Sequence, residues 1–198
     1  MERSFSQCGQ DLFAVSLLLG KKNGVFLDFG CKVPFEGNNT YLLEKELNFR
    51  GLSFDIDNNA INEWKNSDRN SANAICFDLL QLDIQKMLDE SYESTVIDYF
   101  SFDLEPPLVT VEVLKKIPFD KFRVITFEHD FYRGFDTVKP SRDIFVKNGY
   151  RRIKNTYMSK FTNSKIWLAE DWWIHPDVIS VPEDILDNEI VELTNLDL

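Results

Sequence analysis

Five short apolar stretches of this 198-residue chain each lead into a carboxylate. They read Leu27-Asp28-Phe29-Gly30, Phe54-Asp55-Ile56-Asp57, Phe77-Asp78-Leu79, Phe102-Asp103-Leu104-Glu105 and Phe127-Glu128-His129-Asp130. One Asp after a strand is ordinarily a turn former or a helix N-cap. Five in succession change the balance, because clustered carboxylates repel and raise one another's pKa unless something uses them. Asp55 lies 25 residues beyond Gly30, where an acid can accept hydrogen bonds from both hydroxyls of an adenosyl ribose. Asp78 is placed to accept from the adenine amino group. None of the eight glycines falls into G-x-G-x-x-G or a P-loop, so no phosphate cradle accompanies these acids. The pattern points to an adenosyl ligand without a pyrophosphate, of which S-adenosylmethionine is the common one.

The elements that must position these acids alternate along the chain. Strands are expected at 25–29, 52–56, 74–77, 96–102 and 122–127, each a nearly continuous apolar run, as strands buried on both faces are. Crossover helices are expected between them at 39–48, 58–66, 82–90 and 109–117, after an N-terminal helix at 7–20. That alternation predicts an α/β fold: a Rossmann-like, mostly parallel, doubly wound sheet whose ligand edge is the carboxyl end of its strands. A short helix at 141–148 and strand-like segments at 150–157 and 165–170 read as an antiparallel hairpin closing the sheet. Residues 1–182 are read as one domain. The last sixteen residues, with six acids and no Lys or Arg, are read as a peripheral tail.

Composition narrows the function classes. The chain is 43% hydrophobic and 28% charged, which suits a folded domain and excludes collagen-like and disordered classes. Its net charge of −11 opposes nonspecific binding to nucleic acid or an anionic membrane. Three cysteines without C-x-x-C spacing and two histidines leave no zinc pattern and fit a reducing, cytoplasmic setting. No apolar stretch is long enough to span a bilayer. Residues 133–165 depart from the general acidity: nine Lys and Arg against two Asp give +7, leaving −18 elsewhere. Such a segment is ordinarily a solvated face; here an anionic acceptor is the other reading.

Several segments resemble the FkbM-type family of S-adenosylmethionine-dependent methyltransferases. They are Ser6-Gln7-Cys8-Gly9-Gln10-Asp11, residues 24–30 with Asn39-Thr40-Tyr41 after them, residues 51–55, residues 98–105, Phe127-Glu128-His129 and Glu170-Asp171-Trp172-Trp173. The resemblance implies transfer of the sulfonium methyl group to a hydroxyl of a small molecule or glycan. It also implies cofactor contacts from Gln10, Asp28, Gly30, Cys31, Asn39, Thr40, Asp55, Ile56, Asp78 and Leu79. One departure stands out. Val33-Pro34 replaces a frequent Asp-Gly, and proline offers no N–H. A non-catalytic, methyltransferase-like binding module is therefore the alternative reading.

A hydroxyl acceptor calls for a nearby base. His129 is the first choice, since a neutral imidazole suits that role near neutral pH; its alternative is a structural histidine held by loop carbonyls. Asp103 and Glu105 are the other candidates, as base, as orienting groups, or with Glu128 as ligands of a Mg²⁺-type ion; the alternative for the trio is a hydrogen-bonded network around the loop. No metal ligand set is assigned. Trp172 and Trp173 are read as core rather than as a sugar-stacking pair.

Overall fold

A strand survives in the middle of a sheet only if both its faces meet apolar neighbours. The computed structural model, which describes residues 3–70, 73–93, 95–153, 169–175 and 177, shows that condition met. In chain order the elements are α1 (Gln10–Leu17), β1 (Val25–Phe29), α2 (Tyr41–Leu47), β2 (Arg50–Asp55), α3 (Asn58–Lys65), β3 (Ala74–Cys76), α4 (Ile84–Tyr92), β4 (Ile97–Phe102), α5 (Pro107–Leu114), β5 (Phe122–Glu128), α6 (Val138–Lys147), β6 (Arg151–Arg152) and β7 (Glu170–Ile174). The sheet order is β3-β2-β1-β4-β5-β7-β6. Pairings among β1 to β5 are parallel, and β7 runs antiparallel to both β5 and β6. This is the expected doubly wound sheet with an antiparallel end.

Alternate residues of one strand serve opposite layers. Leu27, Phe29, Phe100, Phe102, Ile125 and Phe127 pack with residues of α4, α5 and α6 in one cluster. Phe26, Tyr99, Val124, Trp172 and Ile174 pack with Ala14 of α1 and with Leu43 and Leu47 of α2 in another. In the first layer the Phe29 ring meets Phe54, Phe100 and Phe102 edge-on at 5.5, 5.0 and 5.5 Å, contacts that add about 0.5–1.5 kcal/mol each beyond area burial. Trp172 and Trp173 are both 2% exposed and belong to the core.

Two side chains tie strands together. At the amino end of β4, buried Asp98 accepts from Lys21 Nζ at 2.8 Å and from the Val25 N–H at 3.0 Å, with Arg123 Nε at 3.2 Å. Gly24 is needed beside it, because a Cβ there would lie 2.3 Å from the Phe49 ring. Between β1 and β2, the Tyr92 hydroxyl donates to Phe26 C=O and accepts from Leu52 N–H, both at 2.8 Å.

Several boundaries differ from the sequence reading; helix α1, for one, is Gln10–Leu17 rather than 7–20. Helix α5 starts at Pro107, two residues before the expected start, because Pro suits the first turn, where no N–H is needed. Helix α6 starts at Val138 instead of 141. The last strand runs over Glu170–Ile174, past the expected end at 170, while residues 165–168 of the expected strand lie outside the described residues. Arg142 Nε and Nη2 donate to Asp171 at 2.6 and 2.8 Å, and Arg152 Nη1 does so at 3.0 Å. Most of the expected 150–157 strand beyond Ile153, and the acidic tail at 183–198, lie outside the described residues.

Candidate functional site

Because five parallel strands point the same way, the residues after them gather at one edge. A cavity of about 580 Å³ opens there. It is lined by Asp28, Gly30, Cys31, Asn39, Asp55, Ile56, Asp78, Leu79, Asp103, Glu105 and Glu128, all expected from sequence, together with Gln7, Lys32, Asn38 and Ser101. Three expected residues are elsewhere: Gln10, Thr40 and His129 are buried, with 6%, 0% and 0% exposure, and none of them lines the cavity.

Each misplacement has a physical cause. Gln10 Oε1 accepts from the Cys8 N–H at 2.8 Å and its Nε2 donates to Glu170 at 3.2 Å, so it folds the N-terminal segment down without reaching the cavity. That segment is fixed further by Asp11, which accepts from Ser4 Oγ at 2.6 Å and from the Phe5 N–H at 2.7 Å. Gln7, one turn earlier, is the residue that reaches the cavity. Thr40 precedes α2 and donates to Asp28 Oδ2 at 2.9 Å, acting on the site through Asp28. His129 is turned inward: its Nδ1 accepts from the Phe131 N–H at 3.3 Å, its carbonyl accepts from Thr137 Oγ1, and its Nε2 lies 3.9 Å from Asp171. Burial pushes its pKa down to about 4. That shift favours the neutral imidazole, which is buried away from the cavity, with no loop carbonyl among the described residues holding either ring nitrogen.

The loop after β1 holds Val33-Pro34 and is organised without the missing amides. Asn38 Nδ2 donates to Cys31 C=O at 3.0 Å, and its Oδ1 accepts from the Thr40 N–H at 2.9 Å. Trp64 Nε1 donates to Lys32 C=O at 3.1 Å. The central tie is Arg69, whose side chain is fully buried. Its Nη1 donates to Pro34 C=O at 2.6 Å and to Asn38 Oδ1 at 3.0 Å, its Nη2 to Thr40 Oγ1 at 3.0 Å, and its Nε pairs with Glu44 at 3.0 Å. The guanidinium also lies 4.1 Å from the Trp64 ring centroid. Arg69 sits in a polar stretch, Asn66-Ser67-Asp68-Arg69-Asn70, with no periodic or motif signal, so sequence reasoning missed it.

Gly30 closes the loop onto β4. Its φ is +84°, and a Cβ there would lie 1.6 Å from the Asp103 carbonyl oxygen; only glycine permits both. Asp55 holds the loop from the other side, accepting from the Lys32 N–H and the Asp57 N–H, one on each oxygen and both at 2.8 Å. Each oxygen retains a second lone pair.

Electrostatically the cavity has two ends. Near β1, burial pushes Asp28 up to about 6 against the hydrogen bond from Thr40 and the charge of Arg69. At the β4–β5 end, burial and then contacts with Asp103 and Asp130 push Glu128 up to about 12. Asp103 is raised as well, chiefly by burial, with Asp130 and Glu105 adding to it. Both carboxyls are held above the ordinary range because, buried and in contact, each disfavours ionisation of the other. Glu105 is exposed and pairs with Arg133, which also donates to Asp130 at 2.8 Å. Of the other cations of the 133–153 stretch, Lys139 pairs with Asp143, and Arg142 and Arg152 with Asp171, while Lys147 is exposed. The basic segment does not offer the paired charges to an anion. Lys154, Lys160 and Lys165 lie outside the described residues. Among the described residues no group of acids, histidines or cysteines is arranged to hold a metal ion, and no helix is long and apolar enough to cross a membrane.

No family model matches the chain, and no curated protein matches it by sequence. Solved structures do match by fold. A protein of Clostridium thermocellum named as a candidate rRNA-methylase superposes with a TM-score of 0.52 at 16% identity, covering 87% of this chain and 96% of that one. The plantazolicin methyltransferase BpumL, solved with SAH, gives 0.51 at 14% identity, covering 85% and 82%. The Entamoeba histolytica methyltransferase EhMeth gives 0.52 at 16% identity, covering 78% of this chain and 53% of that one. The chain thus has the Rossmann-like fold seen in these methyltransferase structures.

Proposed function

We propose that this chain is an S-adenosylmethionine-dependent methyltransferase, an offshoot of the FkbM type, that methylates a hydroxyl of a small molecule or sugar. The observation that carries the reading is the convergence of Asp28, Gly30, Asp55, Asp78 and Asp103 from different strand ends on one cavity. The residues present fit the cofactor. Asp55 keeps a free lone pair on each oxygen for the two ribose hydroxyls, Asp78 faces the same cavity for the adenine amino group, and Asp28 with Asn39 lines the part suited to the methionyl group. The side chain that any residue but glycine would place at position 30 would fill the approach to β4. S-adenosylmethionine, when bound, supplies an electrophilic methyl group on a sulfonium sulfur.

The chain's own task is to hold the acceptor oxygen in line, exclude water and take its proton. Asp103 is assigned that proton. It lines the cavity, and its raised pKa makes it a better base than an ordinary carboxylate. Glu128, protonated against it, orients it. Gln7 brings the N-terminal segment to the cavity wall. RNA, suggested by the name of one structural neighbour, suits this chain less well, given its net charge of −11 and the pairing of Lys139, Arg142 and Arg152 with acids. Calorimetric titration with S-adenosylmethionine and S-adenosylhomocysteine tests the reading. Binding of both is expected; absence of binding to both overturns it.

A further inference from the structure

Eight acids line the cavity, and one cation, Lys32. Its side chain is exposed, and no hydrogen bond or ion pair to its ammonium is found among the described residues. Two arginines close to the lining acids are engaged: Arg3 pairs with Glu36, and Arg133 with Glu105 and Asp130. The backbone of Lys32 is pinned from both sides. Its N–H donates to Asp55 at 2.8 Å and its C=O accepts from Trp64 Nε1 at 3.1 Å. Its φ is +43°, a left-handed value that a residue other than glycine seldom takes. The side chain thus starts from a fixed point beside the acid proposed for the ribose, and its charge reaches Asp103, favouring that carboxylate.

The loop that carries Lys32 has already given most of its donors to the chain. The amides of Gly30 and Cys31 donate to Phe54 C=O, that of Gly37 to Phe5 C=O, and that of Asn38 to Phe35 C=O. The Thr40 amide donates to Asn38 Oδ1, and Pro34 has no N–H to offer. The side-chain amides of Asn38 and Asn39 donate to Cys31 C=O and Ser101 Oγ. S-adenosylmethionine carries a carboxylate at the end of its methionyl chain, and a carboxylate among acids is costly to desolvate unless a cation meets it. We infer that Lys32 Nζ is the counter-ion of this methionyl carboxylate, held by a side chain where loop amides are taken. The inference rests on the methyl-transfer reading above. A flexible four-carbon stem on a pinned backbone suits that role, since the ammonium can follow the carboxylate while the loop stays still. Binding then depends on the charge of the ligand's tail as well as on its adenosyl group.

Two thioethers that differ only in this group test the assignment: S-adenosylhomocysteine and decarboxylated S-adenosylhomocysteine. Each is titrated calorimetrically into the full chain and into Lys32→Met and Lys32→Arg. Lys32 is exposed, so neither substitution enters the core. Lys32→Met is expected to weaken S-adenosylhomocysteine about tenfold or more, in line with the loss of one charge-assisted hydrogen bond. The decarboxylated thioether, with no carboxylate to lose, is expected to bind Lys32→Met as well as it binds the wild-type chain, or more tightly. Lys32→Arg keeps the charge and is expected to retain most of the affinity for S-adenosylhomocysteine. An affinity ratio of the two thioethers that Lys32→Met leaves unchanged overturns the proposal, whether both bind as before or both weaken together. So does a change in the ratio that comes only from tighter binding of the decarboxylated form. In either case binding of S-adenosylhomocysteine to the wild-type chain leaves the methyl-transfer reading standing, whereas binding of neither thioether sinks both.

Discussion

Replacing Arg69 with Met removes one buried cation and leaves its partners in place. Glu44, whose side chain is 15% exposed, loses its ion partner, and Pro34 C=O, Asn38 Oδ1 and Thr40 Oγ1 lose donors at 2.6, 3.0 and 3.0 Å. Breaking a buried pair from one side costs about 3–5 kcal/mol, and the partial exposure of Glu44 argues for the lower end. The Trp64 contact at 4.1 Å is worth up to about 2 kcal/mol when desolvated. The terms overlap, so a total of about 4 kcal/mol is expected. With a urea slope of about 2 kcal/mol/M, that moves the unfolding midpoint by roughly 2 M. Arg69→Lys keeps the charge but loses the planar fork and is expected to lose about half as much. Under native conditions both variants are also expected to bind S-adenosylhomocysteine more weakly, because the loop held by Arg69 lines the cavity. A midpoint for Arg69→Met within about 0.5 M of wild type, about 1 kcal/mol at that slope, would refute the account of the loop.

Three further outcomes follow from the same geometry. Asp55→Ala removes the acceptor for the Lys32 and Asp57 amides along with the proposed ribose contact, so calorimetry is expected to show cofactor affinity reduced by about tenfold or more. Gly30→Ala drives a methyl group into the Asp103 carbonyl at +84° of φ; thermal unfolding is expected to show a loss above about 3 kcal/mol, among the severe single substitutions. Burial holds Glu170 protonated up to about 7 against an ordinary 4.5. The native state therefore carries one proton more than the unfolded chain in that interval, and stability falls as pH rises from 4.5 through 7. Glu170→Gln is expected to remove this fall, narrowing the gap to wild type by no more than about 3 kcal/mol in denaturant titrations across that range.

The strands and their terminal acids were legible because burial on both faces forces continuous apolar runs, and only the end of such a run can carry Asp28-type or Asp103-type groups into a cavity. Helix starts were less legible: α5 begins on Pro107, where a proline was read as loop. The strand Glu170–Ile174 was hard to read because Asp171 looks like a break until Arg142 and Arg152 are brought to it from other elements. His129 follows a strand as the acids do, yet it turns inward, and chain order carries no information on which way a loop residue faces. Arg69 was invisible for a related reason. Its partners lie 25 to 35 residues back in the chain, at Pro34, Asn38, Thr40 and Glu44, and nothing in its own neighbourhood marks it.

The Tyr92 hydroxyl between Phe26 and Leu52 has a consequence for how the sheet opens. Strands β1 and β2 carry Asp28 and Asp55, yet the Leu52 amide at their seam is protected by a side chain from α4. Solvent exchange at that amide reports the undocking of a helix rather than the separation of two strands. A fluctuation of α4 reaches the ligand edge through one phenolic oxygen, with no need for the parallel ladder itself to break.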